Sequence, residues 1–121
     1  MLRMPERVPT EIKLHQKSLV MEISFADGRQ FRLPYEYLRV YSPSAEVRGH
    51  GPGQEVLQTG KRQVAIRSLE AVGSYAVQPV FSDGHSTGIY SWEYLYELGE
   101  NQDQWWNEYL AKLDAAGASR D

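Results

Sequence analysis

The side chains in this sequence with chemistry to offer are three histidines, two Asp-Gly pairs and a cluster of aromatic residues near the C-terminal end. Imidazole and carboxylate together can ligate zinc or iron. His85 directly follows the second pair, Asp83-Gly84, so His85 and Asp83 are the metal candidates, with His50 and Asp27 as further donors. No two histidines stand at i, i+4, and His15, His50 and His85 lie in separate segments. The alternative is three solvent-facing histidines. Catalytic acid–base pairs could draw on Asp27, Asp83, Glu36 and Glu93. An Asp in such a turn usually bonds its own backbone, and glutamates on short helices are most simply solvated. No serine sits in a nucleophile-elbow pattern. The segment Gly53–Lys61, GQEVLQTGK, fails as a phosphate loop, because the glycine spacing is too long and Arg62 follows the lysine. No catalytic residue is assigned, and the chain is expected not to be an enzyme.

The elements that must position these residues follow from periodicity. Leu19, Met21, Ile23 and Phe25 alternate with more polar neighbours, which predicts a strand with one buried face. Asp27-Gly28 then predicts a two-residue hairpin turn, and Phe31 and Leu33 mark the return strand. Glu11–His15 predicts an earlier short strand. Pro34 suits a helix start, so one or two helical turns follow, packing Tyr35 and Leu38. The stretch from Ser42 to Lys61 is rich in glycine and poor in apolar residues, which predicts a mobile loop over 48–61. Val64–Leu69 and Tyr75–Phe81 read as strands, with Pro79 at an edge or bulge. A short helix is expected after Ser91 as N-cap, ending at Gly99 as C′ residue. An amphipathic helix over Asn101–Ala116 carries Trp106, Leu110 and Leu113 on one face. Residues 1–10 are expected as a flexible arm, 11–116 as one domain, and 117–121 as a frayed end.

The two turns echo one another. FADGRQFRLPYEYL (25–38) resembles FSDGHSTGIYSWEYL (81–95) with one residue inserted. This predicts a duplicated strand–turn–strand–helix unit, the two copies packing into one sheet. The fold class is therefore α+β, a mainly antiparallel sheet built from two Asp-Gly hairpins, with short helices and a C-terminal amphipathic helix.

Trp92, Tyr94, Tyr96, Trp105, Trp106 and Tyr109 crowd the last third. They either pad a small core or form an aromatic docking patch. Adjacent Trp105 and Trp106 cannot face the same way on one helix. Trp105, Trp106 and Tyr109 are thus the interface candidates, for a protein partner or for a second copy in a homodimer.

The segments LRVYSPSAEV (38–47) and FSDGHSTGIYSWEYLYELG (81–99) resemble the gamma-butyrobetaine-hydroxylase-like N-terminal domain family. The resemblance runs from about Glu11 to Gly99. Such domains occur as stand-alone bacterial proteins, at the N-terminus of carnitine-pathway 2-oxoglutarate oxygenases, and fused to Mrp-type iron–sulfur ATPases. The resemblance implies the fold, and a setting in iron–sulfur assembly or a metabolic complex. It also implies a zinc site, with a Cys-x-Cys-x-x-Cys run and a histidine from the second turn. Here the cysteine positions fall on Ser42, Ser44 and Val47, and His85 alone matches. Val cannot ligate a metal and neutral Ser is a poor ligand. The oxygenase catalytic domain has no counterpart in 121 residues.

Composition agrees with a globular chain, at 41% hydrophobic and 24% charged residues. A net charge of −3 argues against a nucleic-acid partner. The absence of cysteine removes disulfides, thiolate nucleophiles and Cys-held clusters. No segment is apolar enough to span a membrane, and a cytoplasmic location is expected. The expected function is a non-catalytic binding or adaptor module with no predicted cofactor. The alternative is a metal-ion or small-ligand site at His85 and its turn.

Overall fold

The computed structural model describes residues 7–49, 51 and 53–121. Strands β1 (Pro9–His15), β2 (Val20–Phe25) and β3 (Gln30–Pro34) form one antiparallel sheet. Strands β4 (Ile66–Val72), β5 (Ala76–Phe81) and β6 (Tyr90–Ser91) form a second. Helix α1 (Tyr35–Val40) follows the first sheet, and α3 (Trp92–Glu100) follows the second. A single-turn helix α2 (Ala45–Arg48) and the longer α4 (Gln102–Ala116) complete the α+β fold.

The duplication seen in the sequence is a duplication of structure. In each half the inner strand ends in a phenylalanine whose N–H donates across the turn, from Phe25 to the Arg29 carbonyl and from Phe81 to the His85 carbonyl. Gly28 and Gly84 donate to the carbonyls of Phe25 and Phe81 and have φ of 91° and 90°. Asp27 and Asp83 each accept from the backbone N–H two residues on. The loops therefore hold three residues and not two, with glycine taking the left-handed position. The register of β1 on β2 matches that of β4 on β5, including an irregularity between Pro9 and Glu11 and between Ile66 and Ser68. The copies do not share a sheet, as the sequence suggested. They sit in separate sheets around one core that holds Met21, Ile23, Leu33 and Tyr35 from one half and Ile66, Phe81, Tyr90 and Leu95 from the other.

The halves brace each other through equivalent positions. Tyr37 on α1 donates to the Leu98 carbonyl at 2.7 Å, and Tyr94 on α3 donates to the Tyr41 carbonyl at 2.5 Å. Tyr96 on α3 donates to Asp27 at 2.6 Å, and Arg39 on α1 donates to Asp83 at 2.9 Å. Each helix thus pins the other half's turn. Reciprocal contacts of this kind are the mark of a two-fold relation.

Several boundaries differ from expectation for physical reasons. Strand β1 opens at Pro9, within the segment expected as an arm. Arg7 pairs with Glu93 and its guanidinium lies 4.3 Å from the Tyr96 ring centroid, which ties the chain down. Residues 1–6 lie outside the described residues. The end at 117–121 is docked and not frayed: Arg120 makes two bonds, of 2.8 and 2.7 Å, to the buried carboxylate of Glu36. Strand β4 starts at Ile66 instead of Val64. Helix α3 runs through Gly99, because that glycine is a packing position where a Cβ would strike the Phe31 ring. Asn101, expected as a side-chain cap of α4, instead donates to the Glu97 carbonyl at 2.9 Å. Tyr109 and Leu113 are the buried residues of α4. Strand β5 starts at Ala76 instead of Tyr75, and Tyr75 is 57% exposed.

Candidate functional site

The two halves differ most where the second turn meets the end of α1. In the first half, Phe31 fills the space against Gly99. In the second, Gly88 stands two residues before Tyr90 as Phe31 does before Leu33, and Ser42 takes the place of Gly99. A Cβ on Gly88 would strike Ser42 Oγ. The large side chain and the small one have changed places. The first half shows that this junction can be sealed with apolar atoms, so the polar group in the second is not demanded by the fold.

That polar group is a chain of hydrogen bonds. His85 Nδ1 lies 2.9 Å from Glu46 Oε2, so it carries the proton and donates. Nε2 then accepts from Ser42 Oγ at 2.8 Å. The Ser44 N–H donates to Ser42 Oγ at 3.3 Å, and the Ser44 hydroxyl caps α2 by accepting from Glu46 N–H at 3.1 Å. Burial lowers the His85 pKa, the Arg39 charge lowers it further, and Glu46 and Asp83 oppose both. The ring is therefore neutral near pH 7. Beside it, Asp83 accepts from Arg39 at 2.9 Å and from Lys61 at 2.6 Å. Burial raises the Asp83 pKa, but the Lys61 bond, the His85 N–H and Arg39 outweigh it and hold it at about 2.

Ser42, His85 and Glu46 have the bonding order of a nucleophilic relay. Ser42 is 0% exposed, however, so no substrate carbonyl reaches its hydroxyl. Glu46, at 63% side-chain exposure, is solvated where an orienting acid is normally buried.

The metal candidates meet here, but the donor set does not fit zinc. Both His85 nitrogens are committed to protein partners. Asp83 is neutralised by two cations. Val47 is buried and has no donor atom. Arg39 Nη1 is buried with no hydrogen-bond partner, and an orphan donor beside the site suits an acceptor and not a second cation. Among the described residues no three His, Cys, Asp or Glu side chains are grouped to hold a metal ion. His50 lies outside the described residues. His15 is apart, bonded to Glu22 at 2.9 Å. Of the acid–base candidates, Asp27 is bound to Tyr96, Glu36 to Arg120 and Glu93 to Arg7.

Ser42 also borders a groove of about 880 Å3 between the end of α1, α2 and the loop after it, α3 and α4. Its walls carry Tyr41, Tyr94, Trp105 and Tyr109, with Val47 and Val56. Tyr41 and Trp105 lie 5.6 Å apart between centroids, tilted by 32°. The Tyr109 hydroxyl donates to the Gln58 carbonyl at 2.7 Å, fastening the loop to α4. The loop expected to be mobile is held further by Val56 N–H on the Val47 carbonyl at 2.8 Å. Of the interface candidates, Trp105 and Tyr109 line the groove. Trp106 turns away onto Tyr37, its ring also near Tyr109 and beneath the Arg120 guanidinium. Composition pointed to the aromatic residues of α4. It carried no signal for Tyr41, which joins them only once α1 and α4 are packed.

Fold and site together define a small α+β domain made of two interlocked β-β-β-α units with an aromatic groove on one side. The model for gamma-butyrobetaine hydroxylase-like, N-terminal domains matches residues 12–96, and the chain belongs to that family. Two proteins solved in solution by NMR are similar to it. One is 46% identical with a TM-score of 0.83, over 97% of this chain and 92% of that one. The other is 56% identical with a TM-score of 0.81, over 93% and 84%. A crystal structure from Acidithiobacillus ferrooxidans ATCC 23270, of a DUF971-family protein with unknown function, is 43% identical with a TM-score of 0.66, over 80% of this chain and 98% of that one. A comparison with curated proteins gives no match. Among the described residues no helix is long and apolar enough to cross a membrane.

Proposed function

We propose that this chain is a non-catalytic binding module whose binding surface is the aromatic groove between α1, α2, α3 and α4. The observation that carries the reading is a groove of about 880 Å3 walled by four aromatic rings. Sites for ligands and side-chain anchors are concave and largely apolar, with a few polar groups for orientation. The polar cluster beside it is spent on internal bonds, which supports a structural role: Ser42, His85 and Glu46 fasten α2, one wall of the groove, to the second turn. The test is a peptide-display selection on the intact protein, counter-selected on a folded Trp105→Ala variant. Sequences that bind the wild type and not the variant support the reading. Selection that finds none, or the same sequences on both, removes it.

The bond of Ser42 to His85, with Ser44 bonded in turn to Ser42, supports a second statement, that the family's metal position persists here as a hydrogen-bonded, metal-free junction. Elemental analysis of untagged protein checks it. Stoichiometric zinc or iron, lost in His85→Ala, would restore the metal-binding alternative. A setting in iron–sulfur assembly or a metabolic complex rests on the family's fusions alone. Co-purification from native cells with wild type, and not with Trp105→Ala, would support it, and equal recovery with both would count against it.

A further inference from the structure

We propose that the occupant of this groove is an arginine-bearing segment of a protein partner, with a guanidinium laid on the Tyr41–Trp105 wall between the carboxylates of Glu97 and Glu108. The inference rests on the groove being the binding surface and names the chemistry it selects.

The groove already holds one guanidinium. Arg48, on the α2 wall, lies with its Cζ 4.8 Å from the Tyr94 ring centroid, within the range of a cation–π contact. The Tyr41 and Trp105 rings form a second aromatic surface on the same groove. No cation lies over it among the described residues. Arginine suits such a surface better than lysine, because its planar, weakly hydrated head stacks on rings and also donates to carboxylates.

The charges agree. Glu55, Glu97 and Glu108 line the groove against Arg48 and Lys112. Arg48 is engaged by Tyr94, and Lys112 follows Glu108 by one turn of α4. Neither Glu97 nor Glu108 is in an ion pair among the described residues, and Glu108 accepts only from the Gln104 amide at 3.0 Å. The two carboxylates act on different rings of the groove, Glu108 on Tyr41 and Glu97 on Tyr94. After burial, the Glu108 charge is the next cause pushing the Tyr41 phenol up to about 12. Burial is also the main cause raising Tyr94, with Glu97 adding to it and Arg48 opposing. An aromatic surface with unpaired carboxylates at its edges is complementary to a cation and repels an anionic peptide.

The test uses the full chain and two peptides, acetyl-Gly-Arg-Gly-Arg-Gly-amide and the same sequence with citrulline, which keeps the shape and removes the charge. Binding is followed by calorimetry at low and at physiological salt. The arginine peptide should bind about tenfold or more tightly than the citrulline peptide. The Glu97→Gln/Glu108→Gln variant should lose that preference and most of the salt dependence. Its folding is checked by an unchanged near-ultraviolet circular dichroism spectrum. Equal affinity for the two peptides, or an unchanged preference in the variant, overturns the cation assignment and leaves the groove reading standing. Binding of neither peptide also overturns the assignment, while the display selection on wild type and Trp105→Ala decides the groove independently.

Discussion

Gly88→Ala is the sharpest probe of the junction between the second turn and α1. The added Cβ would strike Ser42 Oγ and lie 3.1 Å from Tyr90 Cε1 and 3.3 Å from Pro43 Cδ. Gly88 does not have a left-handed φ, so the cost is contact and not backbone strain. Overpacking at a buried site costs about 1–3 kcal/mol. Displacing Ser42 also breaks its bond to His85 and leaves a buried ring nitrogen unpaired, at about 1–3 kcal/mol. Reduced freedom of the unfolded chain returns about 0.4–1 kcal/mol. The net is about 3 kcal/mol, a fall in Tm of roughly 12 °C at about 4 °C per kcal/mol for a domain of this size. Urea unfolding followed by tryptophan fluorescence measures it. The decisive arm is the double variant with Ser42→Ala, which removes the struck atom. Its cost should be less than the sum of the single costs by about 1 kcal/mol or more. Additivity within about 0.5 kcal/mol would refute the claim that Gly88 is there to admit Ser42.

Four other outcomes are expected. Tyr37→Phe and Tyr94→Phe should each destabilise by about 1 kcal/mol, by similar amounts, since each orphans the equivalent carbonyl in the other half; unequal costs by urea titration would break the equivalence. Arg120→Ala should cost about 3 kcal/mol by leaving the Glu36 carboxylate, 7% exposed, buried without its cation, and should raise amide exchange at 118–121. The folded pKa of Asp83 lies below its unfolded value of about 3.9, so its contribution is present above that value and is lost as pH falls toward about 2. Urea titrations of wild type and Asp83→Asn should therefore differ by about 1–2 kcal/mol at pH 6 and converge near pH 2. A chelator should leave the wild-type Tm unchanged, and a fall on EDTA treatment that zinc reverses would contradict the metal-free junction.

The hairpins were legible in the sequence because their determinants are local: alternation along Met21, Ile23 and Phe25, and an aspartate–glycine pair at each turn. The echo between them predicted the duplication but not its geometry. Whether two copies share a sheet or face each other across a core depends on contacts such as Arg39 to Asp83, far apart in the chain and without a local pattern. Gly99 was misread for the same reason, since its role is set by Phe31 from the other half. The site was half legible. Resemblance brought Ser42, Ser44, Val47 and His85 to attention, whereas nothing in the sequence singled out Glu46, which α2 places on the imidazole. Tyr41 and Glu97 needed the groove to exist before they belonged to anything.

The reciprocal bracing of the halves has a consequence for how the chain reaches its native state. Its key bonds close large loops: Tyr37 to Leu98 spans 61 residues and Tyr96 to Asp27 spans 69. Neither hairpin unit makes all of its turn's contacts alone, because Tyr96 reaches Asp27 and Arg39 reaches Asp83 from the other half. Distant contacts of this kind raise contact order and slow folding relative to a locally closed domain of the same length. They also mean that continuity of the polypeptide between the units matters less than their joint presence. Two fragments divided in the segment between α2 and β4, each unfinished alone, should reassociate and recover the native fluorescence when mixed.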